Sequence, residues 1–148
     1  MPRYNRADAL KSPDYRVLAD FREHLRRFLH FSEQAAKAAG VETQQYQLML
    51  AIKGSPKGTE PTIGELARRM LIKHHSCVGL VDRLVENGLV ERTRNSADRR
   101  QIIVRLTPKG ERVLRRLYEH HARELKALAP ELIRSLANLL AASGDAVT

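Results

Sequence analysis

The sequence TIGELARRM occupies residues 62–70, KHHSCVGLVDRLVEN occupies residues 73–87, and GLVERTRNSADRRQIIVRL occupies residues 88–106. The first two segments have the apolar spacing of short helices, and the third alternates as two strands around a polar turn. A helix–turn–helix with an attached basic hairpin commonly reads DNA, with the second helix in the major groove and the hairpin on the flanking backbone or minor groove. We therefore predict a winged helix–turn–helix here.

Positive charge is large in the whole chain and concentrated in this region. The 148 residues carry a net charge of +9, with 26 Lys and Arg against 17 Asp and Glu. Residues 68–105 hold nine Lys and Arg and four Asp and Glu, so five of the nine net charges lie there. A field of this sign favours a polyanionic partner, most commonly DNA.

Local signals bound the elements of the winged region. Thr62 and Glu65 form the capping box that starts one helix, and Asn87-Gly88 ends the next, since either residue can take the left-handed conformation. We predict strands at 89–94 and 101–106, with Ile102, Val104 and Leu106 on one face. The residues predicted to face inward are Ile63, Leu66, Ala67 and Met70 in the first helix, and Val78, Val81, Leu84 and Val85 in the second.

A short helix precedes these elements, and longer amphipathic helices lie on both sides. The short one runs from Glu42 or Thr43 to about Lys53, with Tyr46, Leu50 and either Leu48 or Met49 facing inward. A long helix begins at Ser12-Pro13 and ends at Gly40. After the hairpin, Thr107 caps a helix that runs to about Ala129, and Pro130 opens a last one. The predicted stripe of that penultimate helix is Leu114, Leu117, Tyr118, His121, Leu125 and Leu128.

The long helices carry more apolar surface than a compact winged helix–turn–helix needs for its own core. We expect them to pack against the same helices of a second chain, and a homodimer would suit an inverted-repeat operator in double-stranded DNA. The predicted fold is mainly α with a small β-hairpin wing. The chain is predicted to form a single domain over 1–148, with the winged helix–turn–helix at 42–107 and dimerisation helices at 12–40 and 108–142.

Five segments, in this order and spacing, resemble the MarR (multiple antibiotic resistance regulator) family of winged helix–turn–helix transcription factors. They are Glu65–Ala67, His74–Leu84, Gly88–Arg92, Asp98–Arg100 and Leu106–Gly110. Helix order and length agree, so the resemblance covers nearly the whole chain. It implies a homodimer clasped by its terminal helices, with two wings. Such proteins usually repress a nearby gene set and release DNA when a small molecule or an oxidant acts.

The wing is predicted to contact DNA through arginines at and near its tip. A narrow minor groove concentrates negative potential and favours an inserted arginine. Asp98 is expected to pair with one arginine and fix the direction of the other, and the family pattern implies the same arrangement. The alternative is a solvated tip with unpaired charges. The predicted wing residues are Arg92, Arg94, Asp98, Arg99 and Arg100.

The first turn of the helix at 73–87 is predicted to read the major groove. Lys, His and Ser side chains can donate hydrogen bonds to phosphates or base acceptors, and Gly79 would permit close approach of the backbone. The alternative is that the histidines are surface residues or cap the turn. The predicted contacts are Lys73, His74, His75, Ser76 and Gly79.

Two other residues of this helix have competing interpretations. Arg83 lies near Asp82 and Glu86, so an ion pair within the protein is as good an interpretation as a DNA contact. Cys77 is the single cysteine, so no intrachain disulfide is possible. Its apolar context favours a core residue over a redox sensor, because a buried thiol is inert. Oxidation-sensing relatives carry the reactive cysteine in the first helix, where this chain has none.

The six histidines do not have metal-binding spacing. Adjacent pairs such as His74-His75 and His120-His121 diverge by about 100° on a helix, and no H-x-x-x-H or C-x-x-C motif is present. We expect no metal and no other cofactor. A zinc site assembled between helices, which would make a metal-responsive regulator of the same fold, stays open.

A small-molecule effector of unknown identity is expected from the family resemblance, which places its pocket between the dimerisation helices and the reader. Candidate lining residues are Phe21, His24, Phe28 and Tyr46. Plain core packing is the alternative for each of the four.

Three rival functions are weighed against a sequence-specific regulator. An enzyme is disfavoured because the chain has no phosphate-cradling glycine loop, nucleophile elbow or paired carboxylates. A protein-binding winged helix should lack clustered wing arginines. A nonspecific architectural DNA-binding protein stays open. Because no signal peptide and no apolar run of membrane-spanning length is seen, we expect a cytoplasmic protein that binds no membrane.

Overall fold

The computed structural model describes residues 14–142. It confirms the predicted fold class, a mostly helical chain with one antiparallel hairpin. No helix in the described range is long and apolar enough to cross a membrane. The elements are α1 (Tyr15–Ala38), α2 (Thr43–Lys53), α3 (Ile63–Met70), α4 (His74–Glu86), β1 (Val90–Arg94), β2 (Ile102–Leu106) and α5 (Pro108–Ala142). The predicted start of the first helix at Ser12-Pro13 lies outside the described residues.

The chain divides into two compact units. Residues 32–121 form one, called here the reading unit. The other, called the outer unit, contains the described residues 14–31 and 122–142. Helices α1 and α5 each contribute residues to both units.

The hydrophobic core lies in the reading unit, where α2, α3, α4 and the hairpin meet. Leu48 and Met49 are both fully buried, so α2 supplies two adjacent residues where one was expected. Leu50, predicted to face inward, is 44% exposed, and that prediction was wrong. The largest fully buried side chains are Leu48, Met49, Leu66, Leu80, Leu84, Val81, Val104 and Cys77.

The turn between α3 and α4 is set by local interactions. The hydroxyl of Thr62 accepts a hydrogen bond from the Glu65 amide at 3.2 Å, which caps α3 as predicted. The Glu65 carboxylate does not complete the box, because it binds the Arg68 guanidinium at 2.6 and 3.0 Å. Leu71 ends α3 in the left-handed conformation with φ of 55°. That residue turns the chain so that α4 can begin three residues later.

The two predicted strands form an antiparallel hairpin. Val90 pairs with Leu106, Arg92 with Val104, and Arg94 with Ile102. Each observed strand begins one residue later than predicted. Ile103 is buried as well as Val104, because the opposite face of β2 lies against the chain before α3, where Thr62 forms a bridge with Ile103.

Helix α5 corrects one prediction. Pro130 was expected to open a separate helix, but it lies inside a continuous α5. A proline removes one backbone hydrogen bond and bends a helix, and it need not end one when its neighbours are good helix formers. Gly110 lets the first turn of α5 pack directly against the backbone of Leu89. A Cβ at this position would come within 2.0 Å of the Leu89 carbonyl oxygen.

Candidate nucleic-acid interface

The first turn of α4 is exposed. Lys73 precedes the helix in an extended conformation and offers no side-chain acceptor to its first amides. His74, His75 and Ser76 are all exposed, while Cys77 is fully buried. The N-terminus of a helix carries partial positive charge and donor groups, so this turn suits a phosphate or a base acceptor.

The rest of α4 is divided between a buried and an outward face. Cys77, Leu80 and Leu84 anchor it in the core. On the outward face, a Cβ at Gly79 would meet no atom within 4 Å outside its own helix. The glycine is therefore not required by packing. A smooth backbone at this position would let another molecule approach the helix closely.

The wing tip is held by hydrogen bonds among its own residues. The Asn95 amide donates to the Gln101 carbonyl at 2.9 Å, and the Asn95 side-chain oxygen accepts from the Ala97 amide at 3.0 Å. The Gln101 amide donates to the Asp98 carbonyl at 3.0 Å. These bonds fix the backbone at Arg99 and Arg100, whose side chains are exposed.

The two tip arginines have different surroundings. Asp98 accepts from both the amide of Arg100, at 3.1 Å, and its guanidinium Nε, at 3.2 Å. Arg94 donates to the carbonyl of Arg99 at 3.1 Å, which fixes the backbone there. The Arg99 guanidinium has no hydrogen bond or ion pair within residues 14–142. The expected pairing of Asp98 with one arginine is present, and it leaves Arg99 uncommitted.

Arg92 forms an ion pair inside the protein, whereas Arg83 forms none among the described residues. Arg92, predicted as a wing contact, pairs through its guanidinium with Asp82 on α4. Arg83 could have paired with Asp82 or Glu86, yet it has no hydrogen bond or ion pair within the described part of the chain. The Asp82 contact was not readable from the sequence, because the two partners are separated by a turn and lie on different elements.

The four candidate effector residues do not share one unit. Phe21, His24 and Phe28 lie in the outer unit, whereas Tyr46 is buried in the reading unit, its ring 4.9 Å from that of His121 and stacked on it. Burial raises the pKa of the Tyr46 phenol. His24 Nε2 lies 3.4 Å from Glu131, and His24 Nδ1 is buried without a partner. A cavity of about 160 Å³ beside His24 is smaller than ordinary ligand sites.

The sequence interpretation missed a surface groove in the reading unit. Its volume is about 650 Å³, and Leu50, Leu114 and Tyr118 supply its apolar lining. Arg112 and Arg115 add positive charge, whereas Lys53 is paired with the Glu111 carboxylate of the same lining at 2.7 Å. Tyr118, which the sequence placed on one stripe of its helix, is 62% exposed. The missed signal was the pair of exposed apolar side chains, Leu50 and Tyr118, which only the packing of α2 beside α5 reveals.

Metal and thiol chemistry find little support in the site. Within residues 14–142 no three His, Cys, Asp or Glu side chains are placed to share a metal ion. Burial raises the pKa of the Cys77 thiol, which keeps it protonated and unreactive. Cys77 is thus a core residue, as predicted.

The geometry is that of the winged helix–turn–helix class. Residues 39–101 match the MarR family, which confirms the predicted resemblance over that segment. The family and the fold are those of transcriptional regulators rather than enzymes.

Individual relatives agree with this assignment. The HTH-type transcriptional regulator YsmB of Bacillus subtilis is 43% identical over 53 residues, 36% of each chain. The match covers only 36 to 46% of the length of the curated relatives. Among solved structures, the MarR family regulator AbsC of Streptomyces coelicolor has a TM-score of 0.67 at 22% identity, over 80% of this chain and 82% of that one. A MarR variant from E. coli, complexed with operator DNA, has a TM-score of 0.65 at 22% identity, over 80% and 86%.

Proposed function

We propose that this protein is a cytoplasmic, sequence-specific transcriptional regulator that binds double-stranded DNA. The observation that carries the proposal is the combination of an exposed, donor-rich first turn of α4 with a wing tip whose Arg99 guanidinium is uncommitted. A rigid helix face and a rigid basic hairpin are the two parts that a winged reader applies to a major and an adjacent minor groove.

The interface divides into base-reading and phosphate-binding parts. His75 and Ser76 present donors and acceptors at the exposed start of α4, where base edges would be read. Lys73 precedes the helix and is better suited to a phosphate, which positions the protein without reading sequence. Arg94, Arg99 and Arg100 add positive charge on the wing, where Arg99 is the candidate for minor-groove insertion.

The test is selection of preferred duplexes from a random pool by the full chain, followed by salt titrations on the selected duplex and on a scrambled one. A sequence-specific regulator should enrich an inverted repeat and bind it on the order of 10³-fold or more tightly than the scrambled duplex. Equal affinities with the same salt slope would support the nonspecific architectural alternative and contradict the proposal.

We propose that the protein acts as a homodimer. In the outer unit, large apolar side chains remain exposed on both helical segments, among them Tyr15 at 76%, Ile133 at 66% and Leu29 at 47%. A surface with this much exposed apolar area favours association with another chain. A two-fold dimer also doubles the DNA contacts on an inverted repeat.

We further propose that the regulator is a repressor released by a small molecule. A dimer that covers an operator excludes polymerase from an overlapping promoter. The groove lined by Leu50, Leu114 and Tyr118 has the volume and apolar lining of a ligand site. Its Glu111 carboxylate is paired with Lys53, so Arg112 and Arg115 are left to favour an apolar anion. Because the groove borders α2 and the start of α5, a ligand there would touch elements that pack in the same unit as α4.

The ligand-binding part of this proposal has a direct test by calorimetry. Benzoate is the probe for an aromatic carboxylate, and benzamide is its neutral match. The full chain should bind the carboxylate and not the amide, and Arg115→Gln should weaken binding. Binding that persists unchanged in Tyr118→Ala and Arg115→Gln would place any ligand elsewhere.

A further inference from the structure

A side-chain polar contact joins strand β1 of the wing to α4 at one place in the described structure. The guanidinium of Arg92 on β1 pairs with the Asp82 carboxylate on α4. Other side-chain hydrogen bonds of β1 and the tip stay inside the hairpin, such as Arg94 to the Arg99 carbonyl and Asn95 to the Gln101 side chain. The Asp82–Arg92 pair is thus the outermost polar link between the two DNA-facing parts.

The other strand of the wing is attached independently. The Val104 amide donates to the Pro61 carbonyl at 2.9 Å, and the Arg105 guanidinium donates to Glu60 at 2.8 Å. Val90 and Val104 also belong to the buried cluster that contains Val81 and Leu84. These contacts hold the base of the hairpin without Asp82, so removal of the ion pair should leave the hairpin folded.

Stability alone does not account for this pair. Both side chains are well exposed, Arg92 at 40% and Asp82 at 46%, and exposed ion pairs contribute little to folding. A carboxylate on a helix that approaches phosphates also repels them. Asp82 is therefore unfavourable for DNA binding unless its charge is neutralised and its contact has a geometric effect.

We propose that Asp82 and Arg92 are positioning residues that set the angle of the wing relative to α4, and that Arg92 does not itself bind phosphate. The inference rests on the proposed DNA-binding function. In the free protein the pair selects the wing orientation that fits both grooves at once. Without it, only a fraction of molecules has the competent orientation, and the apparent affinity falls by that fraction.

A positioning role for the pair and a role as two independent surface charges predict opposite effects of Asp82→Asn on operator affinity. Asp82→Asn should weaken operator binding roughly three- to ten-fold, the size of a coupling between contacting groups. If Asp82 were merely an acid near DNA, its removal would strengthen binding. Glu86→Gln is the matched control on the same helix, since Glu86 is exposed and has no hydrogen bond or ion pair within residues 14–142. It should bind as tightly as wild type or more tightly.

Arg92→Gln separates positioning from phosphate contact. The variant should lose affinity with an unchanged salt slope, because the bound state keeps all its phosphate contacts. Arg83→Gln, which removes an uncommitted arginine from the outward side of α4, should instead flatten the slope by about one unit. The double variant Asp82→Asn/Arg92→Gln should be no weaker than Arg92→Gln alone, because the isolated carboxylate is gone. Additive losses, or a flatter slope for Arg92→Gln, would overturn the proposal.

A measurement without DNA completes the experiment. Amide residual dipolar couplings in the full-length protein report the orientation of β1 and β2 relative to α4. They should change in Asp82→Asn and Arg92→Gln and stay as in wild type in Glu86→Gln. Unchanged couplings in all three variants would refute the positioning role. A wild type that does not distinguish a selected duplex from a scrambled one would contradict the proposed function instead, and the couplings would still decide whether the pair orients the wing.

Discussion

Asp98 differentiates two adjacent arginines at the wing tip. It binds the backbone and side chain of Arg100, and the Arg99 guanidinium is left without a hydrogen bond or ion pair in the described residues. A guanidinium without an internal partner can enter a narrow minor groove, where the potential is most negative, without breaking a contact inside the protein. A carboxylate in a basic wing therefore directs charge rather than cancelling it.

Arg99→Ala should accordingly cost more operator affinity than Arg100→Ala. Loss of a specific arginine contact costs about 1–3 kcal/mol, and loss of a phosphate contact flattens the salt slope by about one unit. Fluorescence anisotropy at several salt concentrations measures both quantities. Operator affinity of the double alanine variant equal to wild type would show that the wing is not a DNA contact.

Gly79 offers a test in which stability and function move in opposite directions. Because a Cβ there meets no atom within 4 Å outside the helix, Gly79→Ala should fold normally. It should raise the free energy of unfolding by about 0.5–1 kcal/mol, since alanine favours a helix over glycine. If the backbone approaches DNA at this position, operator affinity should fall. Thermal unfolding and binding measured together check the result, and a stabilised variant with unchanged affinity would contradict close approach.

Two buried weak acids, the Cys77 thiol and the Tyr46 phenol, should make the folded protein less stable at alkaline pH. Burial raises the pKa of Cys77 above its ordinary 9.0 and that of Tyr46 above 10.0. The folded chain therefore retains both protons at a pH where the unfolded chain has lost them. Their contribution to stability is present below about pH 9 and declines as pH rises through 9 and 10, by at most about 1.4 kcal/mol per pH unit for each group.

Urea unfolding from pH 7 to 11 would reveal this decline. Tyr46→Phe removes one titrating group while keeping the ring, so its free energy of unfolding should fall less steeply with pH than that of wild type. The slopes are compared rather than the absolute values. Parallel slopes for the two proteins would mean that Tyr46 is not the group responsible.

At the scale of the element, the local signals predicted most of the reading unit. Apolar spacing predicted α3 and α4, and period-two alternation predicted β1 and β2. Each signal depends on neighbours within a few residues, which is why it could be read from one sequence. The same local signals placed the candidate DNA contacts at the first turn of α4 and at the tip of the wing.

Long-range packing could not be read in this way. Leu50 and Tyr118 fit helical stripes, yet both are exposed, because spacing along one helix does not show which part of a stripe a neighbouring element covers. Pro130 was expected to open a separate helix but lies inside α5. Whether a proline ends a helix depends on the residues around it, so the sequence signal alone did not decide the outcome. The Asp82–Arg92 contact joins two elements across a turn, so no spacing rule pointed to it.

At the scale of the whole molecule, the exposed apolar residues of the outer unit lead to a prediction about assembly. Stopping the chain before Pro130 removes four leucines and one isoleucine: Leu132, Ile133, Leu136, Leu139 and Leu140. Ile133 and Leu136 are 66% and 42% exposed in the single chain, so little in the monomer requires them. If they form the dimer contact, the truncated protein should dissociate or aggregate through the remaining stripe.

Sedimentation of the full and truncated proteins would decide the matter, with circular dichroism as the control for folding. Ile133→Asp in the full chain is a milder variant, since it places a charge on the same exposed face. A truncated protein that remains a well-folded dimer with unchanged DNA affinity would refute a C-terminal dimer contact.

The central claim is that the start of α4 reads DNA sequence, and one competition measurement tests it most directly. His75→Ala/Ser76→Ala removes candidate base contacts and leaves the wing charges intact, whereas Lys73→Ala removes a candidate phosphate contact. With a selected operator and a scrambled duplex at one fixed salt concentration, the double variant should lose affinity for the operator alone, because nonspecific affinity comes from phosphates. Lys73→Ala should weaken both complexes together. Equal losses on the two duplexes from the double variant would contradict sequence reading by α4 and leave nonspecific DNA binding as the function.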